Sequence, residues 1–269
     1  MERKVVLITG GSSGIGKSIG LYLKTKGFVV YGTTRKLDVT KQSTTFELLE
    51  MDVREPQSIQ NCIKKIVDKE GRLDVVVNNA GIGITGPIEE TPHEEILKAF
   101  DTNFNGPLHV IKAVLPQMRK QRGGLIINIT SIAGYMGLPY RGIYSATKGA
   151  IELITEALRM ETKDFGVHIT NLAPGDFSTN IASGRYHAPI LNDSPYKTPY
   201  ANTLKQINDD VDSGEDPIQV AQAIYKIIQA KKPKVRYKAG SAMQRFSLFL
   251  KNTLPDKLYE KLLLNHYKL

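Results

Sequence analysis

The 269-residue chain has no tryptophan and a single cysteine, Cys62. One thiol builds neither a disulfide framework nor a thiolate zinc site, which suits a reducing, cytoplasmic setting. Cys62 shares an apolar stripe with Ile59, Ile63 and Ile66, so it is expected as a small core residue rather than a nucleophile. No apolar run approaches the roughly 18 residues of a membrane span. The opening MERKVVLITG has too short an apolar stretch for a secretory signal and fits a strand. The histidines (His93, His109, His168, His187 and His266) are scattered without paired-ligand spacing, so no metal site is expected.

What is present is a globular composition, 41% hydrophobic, with a net charge of +9. That charge is unevenly placed. Residues 230–269 hold ten Lys/Arg against two acids, Asp256 and Glu260, while the rest of the chain is nearly neutral. The tail carries no interleaved aromatic platforms, so a nucleic-acid partner is not expected.

Buried-strand runs alternate with helical patterns. Strands are predicted at Lys4–Thr9, Phe28–Thr33, Phe46–Met51, Leu73–Asn78, Gly124–Thr130, Val167–Ala173 and Val235–Lys238. Helices are predicted after Gly14, over Pro56–Glu70, from Thr91 toward Asn103, and over Gly106–Lys120, Tyr144–Asp164 and Pro217–Ala230. Such alternation implies parallel crossovers: an α/β, doubly wound Rossmann-type parallel sheet of about seven strands. One catalytic domain over residues 1–240 is the simplest division, with 241–269 a basic amphipathic helical extension of it. Residues 176–214, rich in Pro, Asn, Asp, Ser and Tyr, show no clear period and are expected to form a long substrate loop.

Two motifs carry chemistry. Thr9-Gly10-Gly11-Ser12-Ser13-Gly14-Ile15-Gly16 follows the first strand and opens a helix. Glycines there permit a tight turn and close backbone approach to a pyrophosphate, and the helix start offers free N–H groups. Tyr144 and Lys148 stand four apart near a helix start and so share one face. A free phenol, with a pKa of about 10, is a poor base near neutrality; a nearby ammonium favours the phenolate and poises it for proton transfer.

The glycine spacing, Asp52-Val53, Asn78-Asn79-Ala80-Gly81, Asn103-Phe104-Asn105-Gly106, Ser131, Tyr144-x-x-x-Lys148 and Pro174-Gly175 together resemble the short-chain dehydrogenase/reductase family, from Lys4 to about Ala230. The resemblance implies catalysis by Asn103, Ser131, Tyr144 and Lys148. Tyr144 would exchange the proton and, with Lys148, also meet the cofactor, Lys148 at the nicotinamide ribose; Ser131 would hold the substrate oxygen and Asn103 a relay water. Gly10, Ser12, Ser13, Gly14, Ile15 and Gly16 would meet the pyrophosphate and ribose. Asp52 and Val53 would meet adenine, Asn79, Ala80 and Gly81 the adenosine ribose, and Pro174, Gly175, Phe177 and Thr179 the nicotinamide.

The end of the second strand faces the adenosine 2′ position in that family. Here it reads Thr33-Thr34-Arg35-Lys36, with no acid until Asp38. Thr34 and Arg35 suit a 2′-phosphate, so NADP(H) is favoured over NAD(H). Tyr135, Met136, Leu138, Pro139 and Tyr140 suggest an apolar pocket wall; Tyr186, Tyr196 and Tyr200 suit either a cover over the pocket or packing of the lid against the body. The tail resembles that of members acting on lipophilic substrates: hydroxysteroid and retinol dehydrogenases and 3-ketosphinganine reductases. A bulky apolar ketone or alcohol is therefore the expected substrate, with 241–269 in contact with the pocket, a subunit or a membrane surface. The family's usual pairing helices predict a homo-oligomer, a dimer being favoured. Rival readings are a 3-oxoacyl-thioester reductase of fatty-acid synthesis, which usually lacks such a tail, and a non-catalytic NADP(H)-binding sensor, which usually lacks the tyrosine or lysine.

Overall fold

A computed structural model describes residues 3–37, 45–177 and 184–269. The chain begins with β1 (Val5–Ile8), α1 (Gly14–Thr25), β2 (Val29–Thr34), β3 (Glu47–Glu50), α2 (Pro56–Glu70) and β4 (Val75–Asn78). It continues through the short β5 (Ile84–Thr85), α3 (His93–Phe100), a π-helical turn at Asp101–Asn105, α4 (Gly106–Lys120), β6 (Gly124–Ile129), α5 (Gly142–Glu161) and β7 (Val167–Pro174). β8 (Tyr186–His187), α6 (Lys197–Asp212), α7 (Ile218–Gln229), β9 (Arg236–Ala239), α8 (Ala242–Thr253) and α9 (Asp256–Tyr267) complete it.

Seven strands form one parallel sheet in the order β3-β2-β1-β4-β6-β7-β9. Side chains along a strand alternate between faces, and the core divides accordingly. Val5 and Leu7 join one apolar cluster with Ile59 and Ile66 of α2 and Val110 and Val114 of α4. Val6 and Ile8 join the other, with Ile19 and Leu23 of α1 and Val220 and Ile224 of α7. Helices therefore cover both faces, which is why the central strands are apolar throughout. Cys62 is buried in the first cluster, and burial pushes its thiol up to about 12, so it is an inert core residue.

The helices begin and end where local chemistry dictates. Pro56 opens α2 and Gly71, at φ +72°, ends it in a left-handed cap. The helix predicted to stop near Asn103 instead runs on through the π turn into α4, with Gly106 against Val53.

Residues 176–214 differ from the expected loop. They contain β8, which pairs parallel with β5 at Ile84–Tyr186 and Thr85–His187, and the sixteen-residue helix α6. Tyr200, Thr203, Ile207 and Val211 are its buried stripe. Pro199 in the first turn, a threonine in that stripe and four Asn/Asp later in the helix hid its period.

The tail folds back on the body. Ser241 caps α8 in a capping box with Gln244, and Leu248 of α8 and Tyr259 and Tyr267 of α9 are buried. Tyr259 meets Met136 Sδ through its hydroxyl at 2.8 Å, and Gln206 of α6 donates to the His266 carbonyl at 2.9 Å. None of the described helices is long and apolar enough to cross a membrane.

Candidate active site

The carboxyl ends of the parallel strands open onto one cavity of about 750 Å³, running from Arg35 and Arg54 at one end to Tyr144, Arg141 and Arg185 at the other. Ligands in doubly wound sheets bind at this edge, where the strand order reverses. Here the reversal lies between β1 and β4.

The glycine loop forms the floor. Gly10 and Gly14 have φ +65° and +50°, a left-handed conformation that favours glycine. Gly10 N donates to Thr33 Oγ1 at 3.2 Å, tying the loop to β2. Ser12, Ser13, Gly14 and Ile15 line the cavity, and Ser13 makes no side-chain cap on α1, so that helix start keeps N–H groups for an anion. Gly16 does not line the cavity. It is buried behind the loop, where a Cβ would overlap Gly10 O and Asn79 Nδ2; its place is close packing rather than contact.

At the far end of β2, Thr34 and Arg35 line the cavity as expected, joined by Lys36 and Arg54. Asp52 is present too, but Arg54 grips its carboxylate, with Nη2–Oδ2 at 2.6 Å and Nε–Oδ1 at 3.0 Å. The Arg54 bond is the main cause that holds the Asp52 carboxyl below its ordinary range. One paired acid thus stands among three cations. Sequence reasoning missed Lys36 and Arg54, although both adjoin residues it had singled out.

Asn79, Ala80 and Gly81 run along the middle. Thr9 Oγ1 accepts from Asn79 N and Ala80 N at 2.9 Å each, and Asn79 Nδ2 donates to Thr9 O at 2.9 Å. These bonds lock the β4 exit to the β1 exit. Pro174, Gly175 and Phe177 form the opposite wall. Thr179 lies outside the described residues.

Ser131, Tyr144 and Lys148 meet on this cavity. Lys148 Nζ lies 5.9 Å from the Tyr144 ring centre and donates to Ile129 O at 3.0 Å, which leaves two of its three N–H donors free. Ser131 Oγ accepts from Ala133 N at 3.2 Å, leaving its proton to donate. Thr130, beside it, donates to Glu152 Oε1 at 2.6 Å. Buried Glu152 also accepts from Asn171 Nδ2 at 2.9 Å and pairs with Arg236 Nε at 3.0 Å, so the chemistry-bearing face of α5 is bolted to β6, β7 and β9.

Asn103 is buried one layer behind and does not itself line the cavity. Its Oδ1 accepts from Ile82 N at 2.8 Å, and its Nδ2 donates to Ile82 O at 2.9 Å and Thr147 Oγ1 at 3.2 Å. Its side chain is thus spent on the chain around the site. A Cβ on Gly81 would stand 3.1 Å from Asn103 Oδ1 and 3.5 Å from Lys148 Nζ, so a glycine here lets the chain pass close to both. The π turn that carries Asn103 is a form common at functional sites.

The expected apolar wall is not there. None of Tyr135, Met136, Leu138, Pro139, Tyr140, Tyr186, Tyr196 and Tyr200 lines the cavity. Tyr200 is buried with its hydroxyl on Thr85 O and Ala188 O at 3.2 Å each, and Tyr196 donates to Glu89 Oε2 at 2.7 Å. These rings fasten the 176–214 segment to the body. Ile82, Ile84, Thr85, Val211, Arg141 and Arg185 take their place.

Residues 4–189 match the family model for short chain dehydrogenases. The chain belongs to the short-chain dehydrogenase family. It is therefore an oxidoreductase acting on CH–OH groups, with a fold that binds a nicotinamide cofactor. Among its relatives, a 3-ketodihydrosphingosine reductase of Bacteroides thetaiotaomicron is 38% identical over 97% of this chain and 96% of its own. The human 17-beta-hydroxysteroid dehydrogenase type 1 is 31% identical over 95% of this chain and 82% of its own. A solved short-chain dehydrogenase from Streptomyces avermitilis superposes with a TM-score of 0.82 at 31% identity, over 100% of this chain and 97% of its own. Structures of similar fold carry NADP in one case and NAD in another, so within this family the choice falls to local residues.

Proposed function

We propose that this short-chain dehydrogenase is NADP(H)-dependent and interconverts a ketone and a secondary alcohol on a bulky, largely apolar substrate. The observation that carries the reading is the meeting of Tyr144, Lys148 and Ser131 on a cavity whose floor is a glycine loop. The residues fit the cofactor: Gly10 and Gly14 admit a close phosphate, and Lys148 has donors to spare for a ribose. When bound, NADPH supplies the hydride. Tyr144 gives its proton to the carbonyl oxygen in reduction and takes it back from the alcohol in oxidation. Ser131 donates to the same oxygen and fixes its position. Lys148 holds the phenol in an electropositive setting.

Preference for NADP(H) rests on the adenine end. Arg35 and Lys36 carry no described carboxylate partner, while Asp52 is paired with Arg54. A 2′-phosphate is attracted there, and no free carboxylate repels it. The lipid and steroid activities named for the relatives support a lipophilic substrate. So does the tail: Met243, Phe246 and Phe249 of α8 are 82%, 56% and 59% exposed, beside Arg245 and Lys251. This face suits contact with an anionic membrane surface, and exposed Leu153 and Met160 on α5 suit the expected homodimer.

The test follows NADPH absorbance with steroid, retinoid, long-chain 3-oxo and short polar ketones. Turnover of the bulky ketones, abolished in Tyr144→Phe, is the expected result. Preference for short polar ketones overturns the substrate class, and undiminished turnover in Tyr144→Phe overturns the mechanism. Flotation with anionic and neutral vesicles tests the tail, and sedimentation velocity tests the dimer.

A further inference from the structure

Two arginines stand at the reacting end of the cavity. Arg141, just before α5, places its guanidinium carbon 5.6 Å from the Tyr144 ring centre. Arg185 arrives from the other side, one residue before β8. Its side chain lies over Gly83, where a Cβ would come within 2.7 Å of Arg185 Cγ; the glycine makes room for it. Arg185 Nη1 meets Asn208 Oδ1 of α6 at 3.3 Å. Tyr267, at the end of α9, is buried nearby, close enough for the charge of Arg141 to offset part of what burial does to its phenol.

Neither guanidinium has a described carboxylate within ion-pair distance. Two acids are in the neighbourhood. Asp176 lines the cavity, but Gln244 Nε2 occupies its Oδ2 at 2.8 Å. Asp210 on α6 does not line it, and burial, with Asp176 as the next cause, pushes its carboxyl up from the ordinary value. Lys148 adds a third cation to the same end. Burial, and after it the charge of Arg141, weakens the hold of Arg185 on its own proton. Partly buried like charges destabilise each other unless an anion joins them, and a guanidinium is the side chain best shaped to take an oxyanion.

We propose that Arg141 and Arg185 bind an oxyanionic group of the substrate, a carboxylate, sulfonate or phosphate ester, carried within a few bonds of the reacting carbon. The inference rests on the ketone–alcohol reading above and narrows it: the substrate is an amphiphile, with an anionic head at the arginines and an apolar chain leading out past Ile84 and Val211. The pair also acts as a specificity filter, because a neutral or cationic head leaves both cations uncompensated.

The experiment compares three ketones of equal chain length: a 3-oxo sulfonate, a 3-oxo carboxylate and the corresponding neutral 3-oxo alcohol. NADPH consumption is measured for the wild type, Arg141→Met, Arg185→Met and Arg185→Lys, and NADPH affinity by fluorescence. The wild type is expected to favour both anions over the alcohol by at least about tenfold in kcat/KM. Either methionine variant erases that preference through KM, Arg185→Lys keeps part of it, and NADPH affinity stays within about twofold. Equal or better use of the neutral ketone by the wild type overturns the proposal. So does a loss of NADPH affinity matching the loss of turnover, which would assign the arginines to the cofactor. Calorimetry of the three compounds with the NADPH-loaded Tyr144→Phe protein decides the matter without turnover. If no ketone is reduced, the ketone–alcohol reading fails, whereas equal binding of anionic and neutral compounds sinks the arginine site alone.

Discussion

The two ends of the cavity are built differently. The cofactor end is framed mostly by backbone, the loops that leave β1, β2 and β4, held by Thr9, Asn79 and Thr33 hydrogen bonds, with the charged side chains of Arg35, Lys36 and Arg54 at its tip. The reacting end is made of side chains contributed by segments far apart in sequence: Arg141 before α5, Arg185 before β8, Val211 of α6, and behind them Tyr267 of α9. The pyrophosphate and ribose portions of a nicotinamide dinucleotide are common to NAD and NADP, so a backbone cradle serves them. A substrate differs between members, and side chains on loops and peripheral helices can change without disturbing the sheet.

The largest effect expected is at the junction of the two ends. Tyr144→Phe keeps the ring and removes the proton, so turnover should fall by about 10²–10⁴-fold while NADPH affinity holds. A matching loss of NADPH affinity would mean that the phenol belongs to the cofactor end instead. Next comes Glu152, which anchors the shared wall. Glu152→Ala removes the buried acceptor for Thr130 and Asn171 and one carboxylate partner of Arg236, which keeps Glu156. Because the Arg236 side chain is 40% exposed and can turn to water, the cost is set at about 2–3 kcal/mol of stability rather than more. Thermal unfolding should show one earlier transition. If only ketone turnover changes, the wall is not shared.

The same division explains how much was legible in the sequence. β1 and β4 announce themselves as unbroken apolar runs because helices cover both sheet faces. The glycine loop is legible because backbone conformation, not side-chain chemistry, dictates its residues. Tyr144 and Lys148 are legible through one helical turn of spacing. Arg185 is not: nothing local marks it, and only the β5–β8 pairing carries it to Tyr144. The tyrosines taken for a substrate cover are amphipathic rings that serve equally well as packing with a satisfied hydroxyl, as Tyr200 does. Asn103, expected in the catalytic set, lies one layer behind the cavity with its side chain fully engaged with Ile82 and Thr147, a fact that no spacing conveys.

A smaller effect separates the ends cleanly. Arg35→Glu puts an acid where the 2′-phosphate is proposed to sit, beside the already paired Asp52. NADPH should lose about 10- to 100-fold in kcat/KM, NADH should lose little or gain, and the ranking of ketones should not move. A change in ketone ranking would show that the adenine end reaches further than its backbone construction implies.

The smallest expected effect tests whether the basic tail belongs to the reacting end at all. Gln244 connects them. Its Oε1 accepts from Ser241 N at 3.3 Å, and its Nε2 donates to Asp176 Oδ2 at 2.8 Å. Gly175 leaves the room it needs, since a Cβ there would overlap its amide oxygen. Ser241→Ala removes the hydroxyl that receives Gln244 N at 3.2 Å, at a cost of about 1 kcal/mol. The first turn of α8 then loosens and with it the grip on Asp176. The expected result is a KM for the ketone raised about two- to fivefold, with kcat and NADPH affinity unchanged and the melting temperature lowered by about 2–4 °C. A lower melting temperature with an unmoved KM would make the tail a brace for the fold and no part of the substrate site.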